Sequence, residues 1–452
     1  MYKKKDQLSK CNYRPVSVLC TLSKVLESVI CDQFNEYFNV MVSDKLAAYR
    51  KGYSCENVLF SCVEEWKQAL DNNETAAIIA MDLSKAFDSI PHGLLIAKLS
   101  SYGVSTNTCN YVKSYLTDRM QRVKIDNVRS KWLTIKRGVP QGSLTGPLLF
   151  NIFLNDLLLN MGECSIYNYA DDNTLSYHHS NVNHVKNVLE HAATAAIDWF
   201  SINFMEANAS KFQSMIMSRS ECNLDLKVNG ISIPTTNYVQ LLGIDIDNSL
   251  NFNTHVSKLC RKAAKRLNCM GRLSKILSQE CLIKIFDAFI RSSFSYCTVI
   301  WHFCGKRLSK KVEKIQERAL RLTYQDFRSD YMLLLENSGR HTLYDIRVKN
   351  IAVNVFKVLN NLLKPVKHDF YVYKGNSYSL RNVKSLERPN VNTITYGRHS
   401  LRYEGVVIWE NLPNNVKLME SLIKFKEAVS KLELKECDCT TVNCVKCGCQ
   451  VP

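Results

Sequence analysis

Glycine and proline are scarce in this sequence, which has 16 Gly and 9 Pro among 452 residues. This scarcity, together with 46% hydrophobic and 22% charged residues, is typical of a globular chain and excludes a largely disordered one. No internal repeat and no tract rich in proline, glycine or serine divides the chain. A chain of this length is too long for one core of ordinary size, so we expect about two to four domains or subdomains.

Long apolar runs are missing as well. No segment reaches the roughly 18 apolar residues that a membrane-spanning helix requires, and the apolar stretch 147–160 is interrupted by Asn151, Asn155 and Asp156. The first residues, MYKKKD, lack the apolar core of a signal peptide. We therefore expect an intracellular protein, in the cytoplasm or the nucleus, with no membrane partner and with most of its 18 cysteines reduced and buried.

Acidic residues are outnumbered by basic ones. The chain has 59 Lys and Arg against 42 Asp and Glu, a net charge of +17, and such a surplus attracts polyanions. Charge alone does not separate RNA, DNA and an anionic membrane as the partner. Basic residues are dense from residue 254 onward and again at 306–321, within a mainly helical pattern. We predict a separate basic helical domain there.

Helical periodicity covers several stretches. Apolar residues recur at three- and four-residue spacing, which is typical of amphipathic helices, and Pro91 suits the first turn of a helix. These patterns predict helices over 17–38, 56–70, 91–102, 144–159 and 183–205.

Strand patterns accompany these helices. The short apolar run 76–81 predicts a buried strand with Asp82 at its end. Hairpins are expected around 171–172 and over 224–233, where the Asn-Gly pair at 229–230 suits a type I′ turn. Helices and strands mix without strict alternation, which favours an α+β fold over a doubly wound parallel sheet.

Three aspartates stand at or next to the ends of predicted strands. A single Asp at a strand end is more often a helix cap or a turn residue than a metal ligand. Asp171 and Asp172 differ because adjacent like charges repel and are stabilised by a divalent cation. With Asp82 they form a set of three carboxylates, which can hold two ions about 3.5–4 Å apart. Hard oxygen ligands select Mg²⁺ or Mn²⁺, so we predict a two-metal site for phosphoryl transfer.

Three motifs carry a resemblance to a known family. The segment YADD at 169–172 resembles the catalytic box of reverse transcriptases, and DLSKAFD at 82–88 resembles their first carboxylate motif. The segment GVPQGS at 138–143, followed by GPLLF at 146–150, is similar to their template-contacting motif in the form found in non-LTR, LINE-like retrotransposons of the jockey and CR1 type. Three motifs in this order are a far more specific match than any one of them.

Weaker matches extend the resemblance over about residues 10–260, and more loosely beyond. They are NYRPVS at 12–17 with Lys24 and Glu27, YRKG at 49–52, Trp199 with Asn208 and Lys211, LGI at 242–244 with Asp247 and His255, and the stretch 402–413.

The resemblance implies a right-hand polymerase fold of fingers, palm and thumb, followed by a mainly helical and basic C-terminal region. It implies an RNA template, a DNA primer and deoxynucleoside triphosphates as partners. The expected division is fingers over about 1–75 and 100–137, palm over about 76–99 and 138–248, a thumb-like region over 249–330 and a C-terminal region over 331–452.

The resemblance also implies roles for single residues, with two Mg²⁺ ions, or Mn²⁺ in their place, at the three aspartates. Arg50 would contact the incoming triphosphate, and Phe87 would occupy the space of a ribose 2′-hydroxyl. Gln141 and Gly142 would lie against the template and the forming base pair, and Lys211 would give a proton to pyrophosphate. Read without the resemblance, Arg50 and Lys211 are ordinary surface residues and Phe87 is a core residue.

The end of the chain is rich in cysteine. One Cys-x-x-Cys pair and enough thiolates for a structural Zn²⁺ site occur there, although a reduced, disordered tail is the alternative. The cysteines are Cys437, Cys439, Cys444, Cys447 and Cys449.

Rival interpretations stay open at this stage. A catalytically idle relic that binds RNA at most would keep the same fold, and a maturase of a group II intron would share the Tyr-Ala pair before the aspartates. The first residues resemble the middle of a longer reading frame, so we expect a fragment that extends a primer without an endonuclease of its own.

Overall fold

The structure, a computed structural model, describes residues 13, 16–84, 86–125, 127–207, 209–366, 368–374 and 384–432. Its α-helices are α1 (Thr21–Phe38), α2 (Cys55–Asp71), α3 (Ala86–Ser89), α4 (His92–Ser101), α5 (Thr106–Leu116), α6 (Thr145–Leu154), α7 (Val182–Ile202), α8 (Asn253–Leu273), α9 (Gln279–Ile285), α10 (Lys306–Tyr324), α11 (Tyr331–Asn337), α12 (Leu343–Leu359), α13 (Leu401–Glu410), α14 (Asn414–Lys417) and α15 (Leu422–Lys431). Its strands are β1 (Thr75–Ser84), β2 (Met120–Gln121), β3 (Lys124–Ile125), β4 (Val128–Arg129), β5 (Leu133–Thr134), β6 (Ser165–Tyr169), β7 (Asp172–His179), β8 (Glu206–Ala207), β9 (Gln213–Met217), β10 (Lys227–Val228), β11 (Ile231–Ser232), β12 (Tyr238–Leu241) and β13 (Ile244–Asp247).

A five-stranded antiparallel sheet forms the centre of the fold. Strand β1 lies in its middle, pairing with β7 on one side and with β8 and β9 on the other, while β6 pairs with β7. Successive side chains of a strand point to opposite faces of a sheet. Both faces of β1 are covered, which explains why its sequence is apolar without alternation.

Two hydrophobic cores lie against this sheet. One contains Ile79 and buried residues of α4, α6 and α7, among them Phe150 and Phe200. The other contains Ile78 together with α2, β12, β13 and the helices that follow. Each large apolar side chain that is fully buried contributes about 1.5–3 kcal/mol, so the sheet is stabilised from both faces.

The predicted helices are present, with corrections at their ends. Helix α1 begins at Thr21 rather than 17, because the preceding segment is extended and the Ser17 amide donates to the Gln141 carbonyl at 2.8 Å. Pro91 lies at the N-cap of α4, not in its first turn. The helix predicted over 144–159 is α-helical only as far as Leu154 and continues as a 3-10 helix. Helix α7 ends at Ile202, before the predicted 205.

Both predicted hairpins are present. Strands β6 and β7 are joined at Ala170 and Asp171, and β10 pairs with β11 around the Asn-Gly pair. Asn229 has φ 51° and Gly230 has φ 78°, the two positive values that a type I′ turn requires.

The C-terminal region is helical, as expected, and it docks on α2. Three polar residues of α2 spaced by seven positions make this contact: Asn57 donates to the Lys364 carbonyl at 2.7 Å, Glu64 accepts from the backbone at the start of α13, and Asp71 accepts from the segment before it. Helix α2 therefore joins the central sheet to residues 364–402. The domain borders given above remain predictions, and the Cys-rich tail lies outside the described residues.

None of the helices that the structure describes is both long enough and apolar enough to cross a lipid bilayer.

Candidate active site

Two of the predicted metal ligands stand side by side. Asp82 near the end of β1 and Asp172 at the start of β7 are direct partners in the antiparallel pairing, and both are exposed. Directly opposed residues point to the same face of a sheet, with Cβ atoms about 4.5–5.5 Å apart. The fold therefore brings two carboxylates together from positions far apart in the sequence.

The third carboxylate, Asp171, lies in the turn between β6 and β7. Tyr169 pairs with Asp172, so Ala170 and Asp171 are the two residues of a tight hairpin loop. Ala170 has φ 58°, a left-handed backbone that is uncommon for a residue other than glycine. Such local strain persists only where the surroundings hold it.

Two buried asparagines hold this turn. Asn168 donates through Nδ2 to the carbonyl oxygen of Ala170 and to Oδ1 of Asn173, both at 2.9 Å. Asn173 donates through Nδ2 to the carbonyl oxygen of Asp171 at 3.3 Å. These hydrogen bonds stabilise the positive φ and fix the position of the aspartate pair.

The opposed aspartates border a cavity of about 280 Å³. Lys211, which ends a 3-10 helix before β9, lines the same cavity, so the structure brings the predicted proton donor next to two predicted metal ligands. Val58 and Leu59 of α2, Leu241 at the end of β12 and Leu242 in the turn that follows also line it. The cavity is thus lined by five separate segments of the chain, within 58–62, 80–82, 167–174, 211–213 and 239–242.

Tyr169 lines this cavity as well. Burial raises the pKa of its phenol to about 12, with a further contribution from Cys55. The phenol therefore stays neutral at physiological pH, and it adds no charge beside the aspartates.

The carboxylate oxygens of the three aspartates suit a divalent cation, although their side chains are not arranged as a complete metal site. Within the described part of the chain, no three His, Cys, Asp or Glu side chains are grouped closely enough to hold a metal ion. Carboxylate oxygens are the ligands that Mg²⁺ prefers, and a cation offsets the repulsion between opposed aspartates. Asp82, Asp171 and Asp172 are the residues that would hold it.

Phe87, in the same motif as Asp82, lies in contact with two aromatic rings. Its ring stacks on Phe150 with centroids 4.2 Å apart, and it meets the edge of Tyr49 at 6.1 Å. The Val139 amide donates to the carbonyl oxygen of Phe87 at 2.9 Å. The first carboxylate motif and the GVPQGS motif are therefore packed against each other.

Gln141 is positioned by a residue that the sequence analysis did not single out. Its Nε2 donates to Oδ1 of Asp88 at 2.9 Å. Gly142 follows with φ +102°, and a Cβ there would lie 3.0 Å from the carbonyl oxygen of Ser17. The positive φ and the close carbonyl oxygen of Ser17 both favour glycine at this position, and the predicted contact of Gly142 with a template stays a prediction.

Glu27 of α1, which belongs to one of the weaker matches, is a second positioning residue whose contact the sequence did not predict. Its buried carboxylate accepts from the amides of Leu144 at 2.6 Å and Thr145 at 3.4 Å, at the start of α6. Tyr115 donates to the same carboxylate at 2.9 Å. An acidic group at a helix N-terminus is stabilising, but no sequence pattern points to a partner 117 residues away.

Arg50 is not brought into the cavity. Its Nη1 donates to the carbonyl oxygens of Ser43 at 2.6 Å and Leu46 at 3.1 Å, and its guanidinium lies over the Tyr53 ring. The side chain is only 10% exposed. In this structure Arg50 holds its own loop, and the predicted contact with a triphosphate stays a prediction.

Comparison with known proteins gives consistent matches. The family model described as "Reverse transcriptase (RNA-dependent DNA polymerase)" matches residues 2–246, just over half of the chain. The chain is 26% identical to a probable RNA-directed DNA polymerase from transposon BS of Drosophila melanogaster over 341 residues, 70% of this chain and 36% of that protein. It is also 26% identical, over 331 residues, to the RNA-directed DNA polymerase from mobile element jockey of Drosophila funebris. This match covers 70% of this chain and 36% of that protein.

The chain thus spans little more than a third of the length of these relatives. Among solved structures, a telomerase from Candida tropicalis, determined with a fragment of telomeric RNA, aligns with 92% of this chain and 57% of its own. The TM-score is 0.40 and the sequence identity is 12%.

Proposed function

Because this chain belongs to the reverse transcriptase family, we propose that it is an RNA-directed DNA polymerase that extends a primer 3′-hydroxyl with deoxynucleotides on an RNA template. The observation that carries this proposal is the direct opposition of Asp82 and Asp172 at a cavity that Lys211 also lines. Opposed carboxylates would hold a divalent cation that neutralises phosphate charge, and a lysine at the same cavity would supply a proton. Both features suit phosphoryl transfer.

Mg²⁺ or Mn²⁺ at Asp82, Asp171 and Asp172 would supply Lewis acidity toward the primer hydroxyl and the transferred phosphate. The residues of the chain do the rest. The asparagine-held turn keeps Asp171 and Asp172 at the start of β7, and Lys211 lines the same cavity, where it would give a proton to departing pyrophosphate.

The partly exposed Phe87 supports a preference for deoxynucleotides. Its ring has little freedom to move, because Phe150 stacks on it and Tyr49 contacts it. A fixed ring excludes a 2′-hydroxyl more effectively than a mobile one. For Arg50 to contact a triphosphate, its guanidinium would exchange the carbonyls of its own loop for phosphate oxygens, which form stronger, charge-assisted hydrogen bonds.

We also propose the division into fingers, palm and thumb, with the central sheet as the palm. Exposed basic residues of α8 and α10 support a thumb that holds the RNA:DNA duplex through its phosphates: Lys258, Arg261, Lys262, Lys265, Lys306, Arg307, Lys310, Lys311, Lys314 and Arg318. Such binding would weaken steeply with salt and depend little on sequence.

The test is extension of oligo(dT) annealed to poly(A) with Mg²⁺ and either dTTP or UTP. The proposal predicts extension with dTTP and little with UTP. A folded protein that binds the duplex but extends it with neither nucleotide would contradict the proposal and favour an idle RNA-binding relic. The matched relatives are retrotransposon polymerases, so no observation favours the maturase alternative.

A further inference from the structure

A β-ribbon between α5 and the GVPQGS motif has both faces in water. Strand β2 pairs with β5 and strand β3 pairs with β4, which makes one long hairpin over the described residues 119–125 and 127–135. Every residue that the structure describes from 120 to 134 is exposed. A two-stranded hairpin without a packed face is marginally stable in water, so this ribbon is suited to contact a partner.

The exposed side chains of the ribbon are both apolar and basic. Between 119 and 137 the sequence has seven basic residues, Arg119, Arg122, Lys124, Arg129, Lys131, Lys136 and Arg137, and one acidic residue. Exposed apolar residues alternate with them: Met120, Val123, Ile125, Val128, Trp132 and Leu133. A basic surface interleaved with apolar and aromatic groups matches a nucleic-acid strand, whose phosphates are negative and whose bases stack.

A β-bulge places an aromatic ring and a guanidinium together on this ribbon. In the outer ladder Lys124 pairs with Arg129, and in the inner ladder Gln121 pairs with Leu133. The register differs by one residue between the two ladders, so Arg122 opposes both Lys131 and Trp132. A bulge re-aims a side chain, and here the Arg122 guanidinium lies 4.5 Å from the centroid of the Trp132 ring.

Trp132 remains available to a ligand. It is 52% exposed although Arg122 lies over its ring. The indole ring is the widest platform among the side chains for stacking of a base, and stacking is tolerant of base identity. Arg122 adds a positive charge for the phosphate next to a stacked base.

The ribbon is connected directly to the proposed template site. The Ile135 amide donates to the carbonyl oxygen of Arg119 at 2.8 Å, which closes the base of the ribbon. Arg137 forms a β-bridge with Pro91, and Gly138 donates to the Ile90 carbonyl at 2.7 Å. Four residues beyond Arg137 the chain reaches Gln141. A strand bound to the ribbon is thus led toward Phe87 and Gln141.

We propose that residues 119–137 form an arm that holds the single-stranded RNA template before it is copied, with a base stacked on Trp132 beside Arg122. The inference rests on the proposed function, because it assigns the strand to the template. The proposed ligand is RNA. Binding of a protein to the apolar side chains is the competing outcome.

The first test measures binding of a single-stranded oligo(U) by fluorescence anisotropy, without primer, nucleotide or Mg²⁺. Loss of one stacked base costs about 1–3 kcal/mol, so Trp132→Ala should weaken binding by roughly 5- to 150-fold, and Trp132→Phe should retain most of the wild-type affinity. Phe327→Ala is the matched control, because Phe327 is equally an exposed aromatic residue, outside the ribbon. It should bind as the wild type does.

The second test links the ribbon to the template. Primer extension is compared on templates with a long single-stranded 5′ overhang and with an overhang of one nucleotide. Trp132→Ala should raise the KM for the long-overhang template about tenfold and leave kcat, and extension on the short one, unchanged. Thermal unfolding should be unaltered, since Trp132 belongs to neither core.

The two proposals fail in different ways. If Trp132→Ala binds oligo(U) as tightly as the wild type, the ribbon does not hold RNA and the proposed arm is wrong, whatever the polymerase does. If binding falls but the wild type extends no primer, the arm binds RNA and the polymerase proposal fails. If Trp132→Ala and the wild type have equal KM values on the long-overhang template as well as on the short one, the proposed arm is also wrong.

Discussion

Asp82 and Asp172 are directly opposed in the antiparallel pairing of β1 and β7, where like charges destabilise a strand pair by up to about 1 kcal/mol. Both aspartates are exposed and line the cavity that Lys211 also lines, so the repulsion lies at the edge of the fold rather than in its core. A bound cation would relieve this repulsion, so part of the folding cost would become affinity for a metal.

This relationship predicts a stabilisation by metal that depends on the pair. Addition of Mg²⁺ to the nucleic-acid-free protein should raise its urea midpoint, because the ion binds the folded state alone. Asp172→Asn removes one charge and should reduce that increase to a small fraction. Glu206→Gln, on the exposed face of the short strand β8, is the control and should keep the full increase. An equal response in all three proteins would exclude Asp172 as a ligand.

Phe87 is predicted to control the choice of sugar. Replacement by Ala opens the space beside Phe150 and Tyr49, and the ratio of kcat/KM for dTTP over UTP should fall by roughly tenfold or more. Steady-state kinetics with both nucleotides measure this ratio. Phe153→Leu, a change in the neighbouring core, serves as the control and should leave the ratio intact. An unchanged ratio in Phe87→Ala would assign Phe87 to packing alone.

Asp71 is predicted to stabilise the junction between α2 and the C-terminal region. It accepts hydrogen bonds from the amides of Asn392 and Thr393 and from the Thr393 hydroxyl, at 3.0, 2.7 and 2.7 Å. Asp71→Ala leaves these partly buried donors without an acceptor and should lower the free energy of unfolding by about 1–3 kcal/mol. Urea denaturation measures the loss, and the exposed Asp369→Ala should change it little.

Glu404 is predicted to make stability depend on pH. Burial raises the pKa of this carboxyl from its ordinary 4.5 to about 8, so the folded protein holds the proton more tightly than the unfolded chain. Its contribution to stability should therefore fall as pH rises from 4.5 to about 8, by at most about 1.4 kcal/mol per pH unit. Glu404→Gln should lack this component when urea midpoints are measured across that range. Identical pH profiles would show that Glu404 is ionised in the folded state.

The helices and the hairpin of β6 and β7 could be predicted because their causes are local. The spacing of apolar residues predicts α2 and α7, and the Asn-Gly pair predicts the turn at 229–230. The motif residues likewise indicate Asp82 and Asp172 without a structure. Their direct opposition could not be predicted, because register depends on how β1 pairs across the sheet.

Other features depend on contacts between distant segments. No local pattern in the sequence predicts the contact of the buried Glu27 with the start of α6, or the packing of Gly142 against Ser17. The ribbon over 119–135 was missed as structure, since its strands are two residues long and exposed on both faces. Arg50 matches its motif, yet its side chain is held by carbonyls of its own loop.

The most direct test of the central claim compares the wild type with the double variant Asp171→Asn, Asp172→Asn in extension of oligo(dT) on poly(A) with Mg²⁺ and labelled dTTP. Both substitutions keep the size of the side chain and remove the charge that a cation requires. The account predicts extension by the wild type, a loss of at least about 100-fold in the variant, a scale typical of losing an essential electrostatic group, and unchanged binding of the duplex by both. Extension by the variant at the rate of the wild type would contradict the assignment of these carboxylates to catalysis.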